Sequence, residues 1–276
     1  MAYHSPIDLS SALDALRDGQ HKVVAGGTDV YPAMKQGHVP PSFLDLTRVV
    51  GLSDIRQDEA GTRLGATVTW SDIVKADLPA AFNGLKEAAR EVGSLQIQNA
   101  GTIAGNICNA SPAADGVPPL LALNAQVELA SAARGIRSLA LSDFLQGVRK
   151  TALEPDELVT AILIPPQPVN GGSAFEKLGS RRYMVISIAM TSANVSLDAN
   201  GLIDSATVAV GACSAVAQRL PALERDLIGK RVADVQVLAG HLAPLSPIDD
   251  VRGSGAYRLD VVQALCKRTI LRAAQS

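Results

Sequence analysis

Two short stretches of the 276-residue chain combine glycine, small side chains and hydroxyls in the manner of a ligand cradle. They are AGGTDV (residues 25–30) and TIAGNICNASPAAD (residues 102–115). In the first, Gly26 and Gly27 follow the β-branched run HKVV, so a strand feeds straight into a turn that can take positive φ. With no Cβ in the way, the N–H groups of such a turn form a concave nest for an anion, and Thr28 adds a hydroxyl. The second stretch reads as one tightly specified loop with the same equipment. Thr102, Ala104, Gly105 and Asn106 supply small side chains and N–H donors, Pro112 fixes the turn that follows, and Asp115 is placed to accept from hydroxyl groups. Neither stretch contains Lys or Arg, so a phosphate held there is neutralised by dipoles rather than by charge.

The familiar phosphate loops do not match. GK[ST] is absent from both stretches, and neither spells GxGxxG opening a long helix. Two nests point to the pyrophosphate of a dinucleotide. On residue types alone, a plain strand-to-helix corner is an equal reading of each. Other chemistry is scarce. Cys108, Cys213 and Cys266 lie far apart with no CxxC pair, which excludes a zinc ribbon or an iron–sulfur cluster built from this chain alone. His4, His21, His38 and His241 have no ligand spacing, so no metal site is expected, and no Ser/His/Asp triad suggests itself. No catalytic residue is therefore assigned. Cys108 and Trp70 read as packing residues, and Arg182 as part of a solvated basic turn.

The elements that must position the two stretches are legible in part. SSALDAL fits a helix capped by Ser10 or Ser11, and Pro32 suits the first turn of a helix over YPAMKQ. SFLDLT and GTRLGATVT read as strands, Ser71-Asp72 as a helix start, and residues 79–92 carry helical spacing. VPPLLALNAQVELAS gives a short helix and a strand, and ELVTAILIPP a strand stopped by prolines. QPVNGG (residues 167–172) is the best boundary candidate. Beyond it, SIAMTSANVSLD and LIDSATVAVGAC alternate about DANG, a hairpin signature. Helices near PALERDLIG and RVADVQVLAGHL follow, then a terminal helix burying Val261, Val262, Leu265 and Ile270.

Composition narrows the class. With a formal net charge of −2 and no basic stripe, nucleic acid and anionic membrane are poor partners. The first residues show no charged region followed by an apolar run, and no apolar stretch approaches the ~18 residues of a membrane span. A cytoplasmic protein is expected.

VAGGTDVYPAMK together with QIQNAGTIAGNICNASPAADGVPPLLAL resembles the FAD-binding medium subunit of the molybdenum hydroxylase family, which includes xanthine, nicotinate and carbon monoxide dehydrogenases. FEKLGSRRYMVISIA and RGSGAYRLDVVQALCKR resemble the start and the terminal helix of that family's C-terminal flavoprotein domain. The resemblance implies an α+β chain. A two-subdomain FAD-binding fold of the vanillyl-alcohol oxidase type spans residues 1–168, and a smaller α/β C-terminal domain spans residues 172–276.

By the same resemblance, Ala25, Gly26, Gly27, Thr28, Asp29 and Val30, with Thr102, Ile103, Ala104, Gly105 and Asn106, would wrap the FAD pyrophosphate. Asp115 would take ribityl or adjacent hydroxyls. Val92 and Val159 would be apolar contacts of the cofactor, and Lys177 would sit near the flavin's polar edge. The implied role is electron transfer. A large subunit with the molybdenum cofactor and a small subunit with [2Fe–2S] clusters would complete a heterotrimer or its dimer, with NAD⁺, oxygen or a quinone as acceptor. Two alternatives remain in the sequence: a stand-alone flavin reductase or oxidase of the same fold, and a non-enzymatic dinucleotide-binding module. No cysteine lies between Leu123 and Leu158, against the 4-hydroxybenzoyl-CoA reductase variant with its extra cluster. Thr28-Asp29 replaces the His-Ser pair towards which carbon monoxide dehydrogenase relatives tend, a leaning to the xanthine or nicotinate type.

Overall fold

The structure, a computed structural model, describes residues 2–35, 37 and 39–276. His38 lies outside the described residues. Among the described residues the chain builds three larger sheets in succession, with a small two-stranded sheet beside the second. The first combines β1 (Ala2–His4), α1 (Leu9–Asp18), β2 (Lys22–Val24), α2 (Val30–Lys35) and β3 (Ser42–Asp45). Its strands are parallel in the order β1-β3-β2, which is why helices must carry the chain back between them. Asp8, rather than Ser10 or Ser11, caps α1, accepting from the Ser11 N–H at 2.8 Å. A carboxylate in this position both accepts the N–H and complements the helix dipole. Ala12, Leu13 and Leu16 bury against Leu44 and Leu46 and against Ala130 and Leu158 of the second sheet.

The second unit contains β4 (Ile55–Asp58), β5 (Gly61–Gly65), α3 (Trp70–Lys75), α4 (Asn83–Glu91), α5 (Leu95–Ala100), α6 (Ile103–Asn109) and α7 (Val117–Ala122). It continues through β6 (Gln126–Ser131), β7 (Gly135–Ala140), α8 (Leu141–Phe144), β8 (Leu145–Gly147), β9 (Lys150–Thr151) and β10 (Glu157–Ile164). Its main sheet is antiparallel, in the order β4-β5-β10-β6-β7. β10 is central and buried on both faces, so its ELVTAILI reads as a nearly continuous apolar run. α3 starts one residue before the expected Ser71-Asp72, with Thr69 and Asp72 in a reciprocal capping box. The helix expected over residues 79–92 is divided into a 3-10 turn, Ala80–Phe82, and α4.

The third unit has β11 (Gly171–Leu178), β12 (Ala189–Leu197), β13 (Ile203–Gly211), β14 (Gln218–Arg219), α9 (Pro221–Leu227) and α10 (Gly255–Ala273). Its four strands are antiparallel in that order. The DANG hairpin forms as expected: Gly201 takes φ 74° and Asp198 Oδ1 accepts from the N–H groups of Asn200 and Leu202. The helix expected over RVADVQVLAGHL is replaced by two 3-10 turns, Val232–Asp234 and Ala239–Leu242. On α10, Val262, Leu265 and Ile270 are buried, whereas Val261 is half-buried.

The second and third units are joined by specific bonds. The Gly84 N–H donates to Ser173 Oγ (2.8 Å), the Phe175 N–H to Glu87 Oε2 (2.8 Å), and Asn194 Nδ2 to the Ala81 carbonyl (3.0 Å). α4 is thereby fixed along β11, which carries Lys177.

Candidate functional site

The two glycine stretches converge. β2 ends at Val24 and the chain turns through Gly26 and Gly27 into α2. Gly26 packs against the end of α5: a Cβ there would run into the Ala100 carbonyl oxygen, so only glycine allows the approach. Gly27 takes φ 68°, and a Cβ would strike the Tyr31 ring. Asn109 Nδ2 donates to Asp29 Oδ1 at 2.9 Å, a direct bond between the stretches. Arg149 also donates to the Asn109 carbonyl, at 3.1 Å. In the turn itself, no protein acceptor engages the N–H groups of Gly26, Gly27, Thr28 or Asp29 among the described residues.

The second stretch is not a loop throughout, which corrects the sequence reading. Thr102 is an N-cap, and residues 103–109 form α6. Ile103 and Ile107, four residues apart, are both fully buried and pull this turn of chain into a helix. Helix formation commits several of the expected donors. The Ile103 N–H goes to the Val68 carbonyl (3.0 Å), that of Gly105 to Thr102 Oγ1 (3.0 Å), and that of Asn106 to the Thr102 carbonyl (3.1 Å). The Ala104 N–H remains without a protein acceptor among the described residues. The helix ends at Ala110 with φ 45°, in the left-handed region that stops it.

Asp115 and Lys177, expected at different parts of a cofactor, lie against each other. Lys177 Nζ is 2.6 Å from Asp115 Oδ2, and both side chains are at least nine-tenths buried. Lys177 Nζ also reaches the Glu91 carbonyl, at 3.4 Å. Ser187, which the sequence reading did not single out, donates its hydroxyl to Asp115 Oδ1 at 2.6 Å. Burial raises the Asp115 carboxyl above its ordinary value of 3.8, while the Lys177 ammonium and the two hydrogen bonds pull the other way.

The remaining candidates lie on other elements. Val92 caps the end of α4 and is half-buried against the core. Val159 is 5 % exposed, on β10 beside a bulge, in the same buried cluster as Ile103 and Ala104. Its side chain is taken up by the core beneath α6. Trp70 is fully buried in that cluster, as a packing residue should be. Cys108 is exposed on α6 rather than packed, and Arg182 is exposed with its guanidinium over the Tyr183 ring. Among the described residues, no group of three or more His, Cys, Asp or Glu is placed to hold a metal ion, and no helix is long and apolar enough to cross a membrane.

Three observations fit this region to the pyrophosphate and polyol of a dinucleotide such as FAD. The free N–H groups of residues 26–29 and 104 are donors for an anion. Gly105 is exposed on α6, and a Cβ there would meet only Thr102 Oγ1, at 2.9 Å, so protein packing alone barely requires a residue that weakens a helix. The carboxamide oxygen of Asn106 is buried without a hydrogen-bond partner among the described residues, an acceptor left for a donor from outside the chain.

Comparison with known proteins shows the family of the chain. Residues 1–167 match the family described as FAD binding domain in molybdopterin dehydrogenase, and residues 173–273 match the CO dehydrogenase flavoprotein C-terminal domain. The chain is 33 % identical to the nicotine 6-hydroxylase medium subunit of Paenarthrobacter nicotinovorans, over 98 % of this chain and 96 % of that one. It is 29 % identical to the carbon monoxide dehydrogenase medium chain of Afipia carboxidovorans, over 98 % and 96 %. A solved carbon monoxide dehydrogenase from Hydrogenophaga pseudoflava superposes with a TM-score of 0.90 at 27 % identity, covering 100 % of this chain and 97 % of that one. The chain belongs to the family of FAD-binding medium subunits of the molybdenum hydroxylases.

Proposed function

We propose that this chain holds FAD at the junction of its two glycine stretches. It would relay electrons there from [2Fe–2S] clusters on a small subunit to a terminal acceptor, within a heterotrimer completed by a large subunit that carries the molybdenum cofactor. The observation that carries the proposal is the convergence of residues 25–30 and 102–109, joined by the Asn109–Asp29 bond, around N–H groups with no protein acceptor among the described residues. Membership in the medium-subunit family and the absence of cluster cysteines in the chain support it.

Bound FAD would supply a two-electron carrier that can be filled one electron at a time. The chain's own residues bind and orient it. The N–H groups of Gly26, Gly27, Thr28 and Asp29, with that of Ala104, would hold the pyrophosphate oxygens, and Thr28 would add its hydroxyl. Because several α6 donors are spent within the helix, the first turn carries more of this load than the second. Asp115 would receive a cofactor hydroxyl on lone pairs that Lys177 and Ser187 leave open, since an ionised carboxylate offers about four. Val92, at the end of α4, would flank the cofactor. Val159 would act from beneath α6, through the packing of Ile103 and Ala104. A division into domains of residues 1–168 and 172–276, a cytoplasmic location, and NAD⁺ as one candidate acceptor belong to the same proposal.

Co-expression with the neighbouring subunits tests it. The proposal expects the purified complex to contain molybdenum, iron and FAD, with bleaching of the flavin band by substrate only when all three chains are present. A chain that purifies alone and whose flavin is reduced without partners would point to a stand-alone flavoenzyme instead.

A further inference from the structure

Ser187 belongs to neither glycine stretch, yet its side chain ends at the same carboxylate. It is completely buried, just before β12, and donates to Asp115 Oδ1 at 2.6 Å, while Lys177 of β11 donates to Oδ2 at 2.6 Å. The Ile188 N–H bonds the Leu178 carbonyl at 2.8 Å, so Ser187 and Lys177 are each one residue from a rung of the same ladder. Two groups fixed on one hairpin of the third sheet therefore grip the two oxygens of an aspartate that lies between α6 and α7 of the second unit.

The torsion that turns a carboxylate is soft and roughly two-fold. A single bond from Lys177 would leave the Asp115 carboxylate free to rotate or to take the ammonium with both oxygens. A second donor on the opposite oxygen removes that freedom and fixes where the remaining lone pairs point. Resting on the flavin assignment above, we propose that Ser187 is a positioning residue of the flavin site, orienting Asp115 so that its open lone pairs face the cofactor's hydroxyls. The third sheet thereby takes part in cofactor affinity through a residue that need not touch the cofactor.

The test uses the full chain as Ser187→Ala, Ser187→Thr, Asp115→Asn and the Ser187→Ala/Asp115→Asn double variant. Melting of the apoprotein confirms that each one folds, and FAD affinity is read from quenching of flavin fluorescence. Ser187→Ala should weaken FAD binding about tenfold or more, the scale of one hydrogen bond to a charged group. It should also shift the visible bands of the bound flavin. Ser187→Thr, which keeps the hydroxyl, should restore most of the affinity. With Asn already at position 115, Ser187→Ala should cost less than about twofold, because the residue it acts through has been replaced. If Ser187→Thr fails to fold, the cycle alone decides. Equal losses in both backgrounds, or no loss in Ser187→Ala, would overturn the role of Ser187 while leaving the flavin assignment standing. A wild-type chain that binds no FAD would overturn both.

Discussion

Asn109 and Asp29 lie 80 residues apart in sequence and 2.9 Å apart in space, with the carboxamide of one donating to the carboxylate of the other. This bond makes one site of two stretches that each look unremarkable. The β2–α2 turn contributes free N–H groups, and α6 contributes an exposed glycine and a carboxamide oxygen with no partner. The bond is exposed, so its energetic weight is modest, of the order of 1 kcal/mol. Its value is geometric, since it fixes the spacing between the two sides of the cradle.

Gly105→Val separates a ligand effect from a folding effect. The position is exposed, and a Cβ there meets the Thr102 hydroxyl at 2.9 Å. The apoprotein should lose about 1 kcal/mol or less, with the β-branched side chain and the disturbed cap setting the cost. FAD retention should fall severely, because in the proposed site the added methyl groups would stand where the cofactor approaches. Apoprotein melting and flavin absorbance after gel filtration measure the two effects.

Gly27→Ala should behave differently. Its φ of 68° is the left-handed region, and the new methyl group would strike the Tyr31 ring. A loss of about 1–2 kcal/mol from backbone strain alone is expected in urea unfolding of the apoprotein. Adding Tyr31→Ala should recover the part due to the clash and leave the strain.

The buried Asp115–Lys177 pair predicts a pH signature. Burial raises the Asp115 carboxyl in the folded chain, so the folded state holds that proton more tightly than the unfolded state does. Its contribution to stability is therefore largest below the unfolded value near 3.8, and is lost as pH rises through the raised folded value. Asp115→Asn should remove this component, seen as a smaller fall in stability across the window above pH 4 when unfolding is followed against pH.

Lys177→Met should leave the Asp115 carboxylate buried with only Ser187 for support. A loss of about 3–5 kcal/mol near neutral pH is expected in chemical denaturation. It should shrink towards acid, where Asp115 protonates. Lys177→Met/Asp115→Leu should recover much of the loss, since an apolar pair of similar volume can replace a buried ion pair.

Much of the fold was legible where signals are local. The DANG hairpin, the proline-stopped β10 and the terminal helix all follow from residues within a few positions of one another. β4 and β7, with sequences IRQD and GIRSLA, were not legible: their residues are mostly exposed, so no apolar alternation marks them, and pairing with β5 and β6 supplies their order. α6 was disguised because Gly105 and Asn106 interrupt a helix that only Ile103 and Ile107 announce. At the candidate site, the glycines and Asp115 stood out by type. The ion pair to Lys177 and the hydroxyl of Ser187 did not, because 62 and 72 residues separate them from Asp115 and only tertiary packing brings them together. The family resemblance makes Val159 a contact of the cofactor, yet strand centrality makes it a core residue first.

The most direct test of the account is titration of the purified full-length apoprotein with FAD, followed by visible absorbance and fluorescence quenching. The account predicts a yellow protein with one FAD bound per chain, and loss of that binding in Gly105→Val while the apoprotein's melting is nearly preserved. A colourless chain that takes up no FAD, or a Gly105→Val variant with full FAD occupancy, would contradict it.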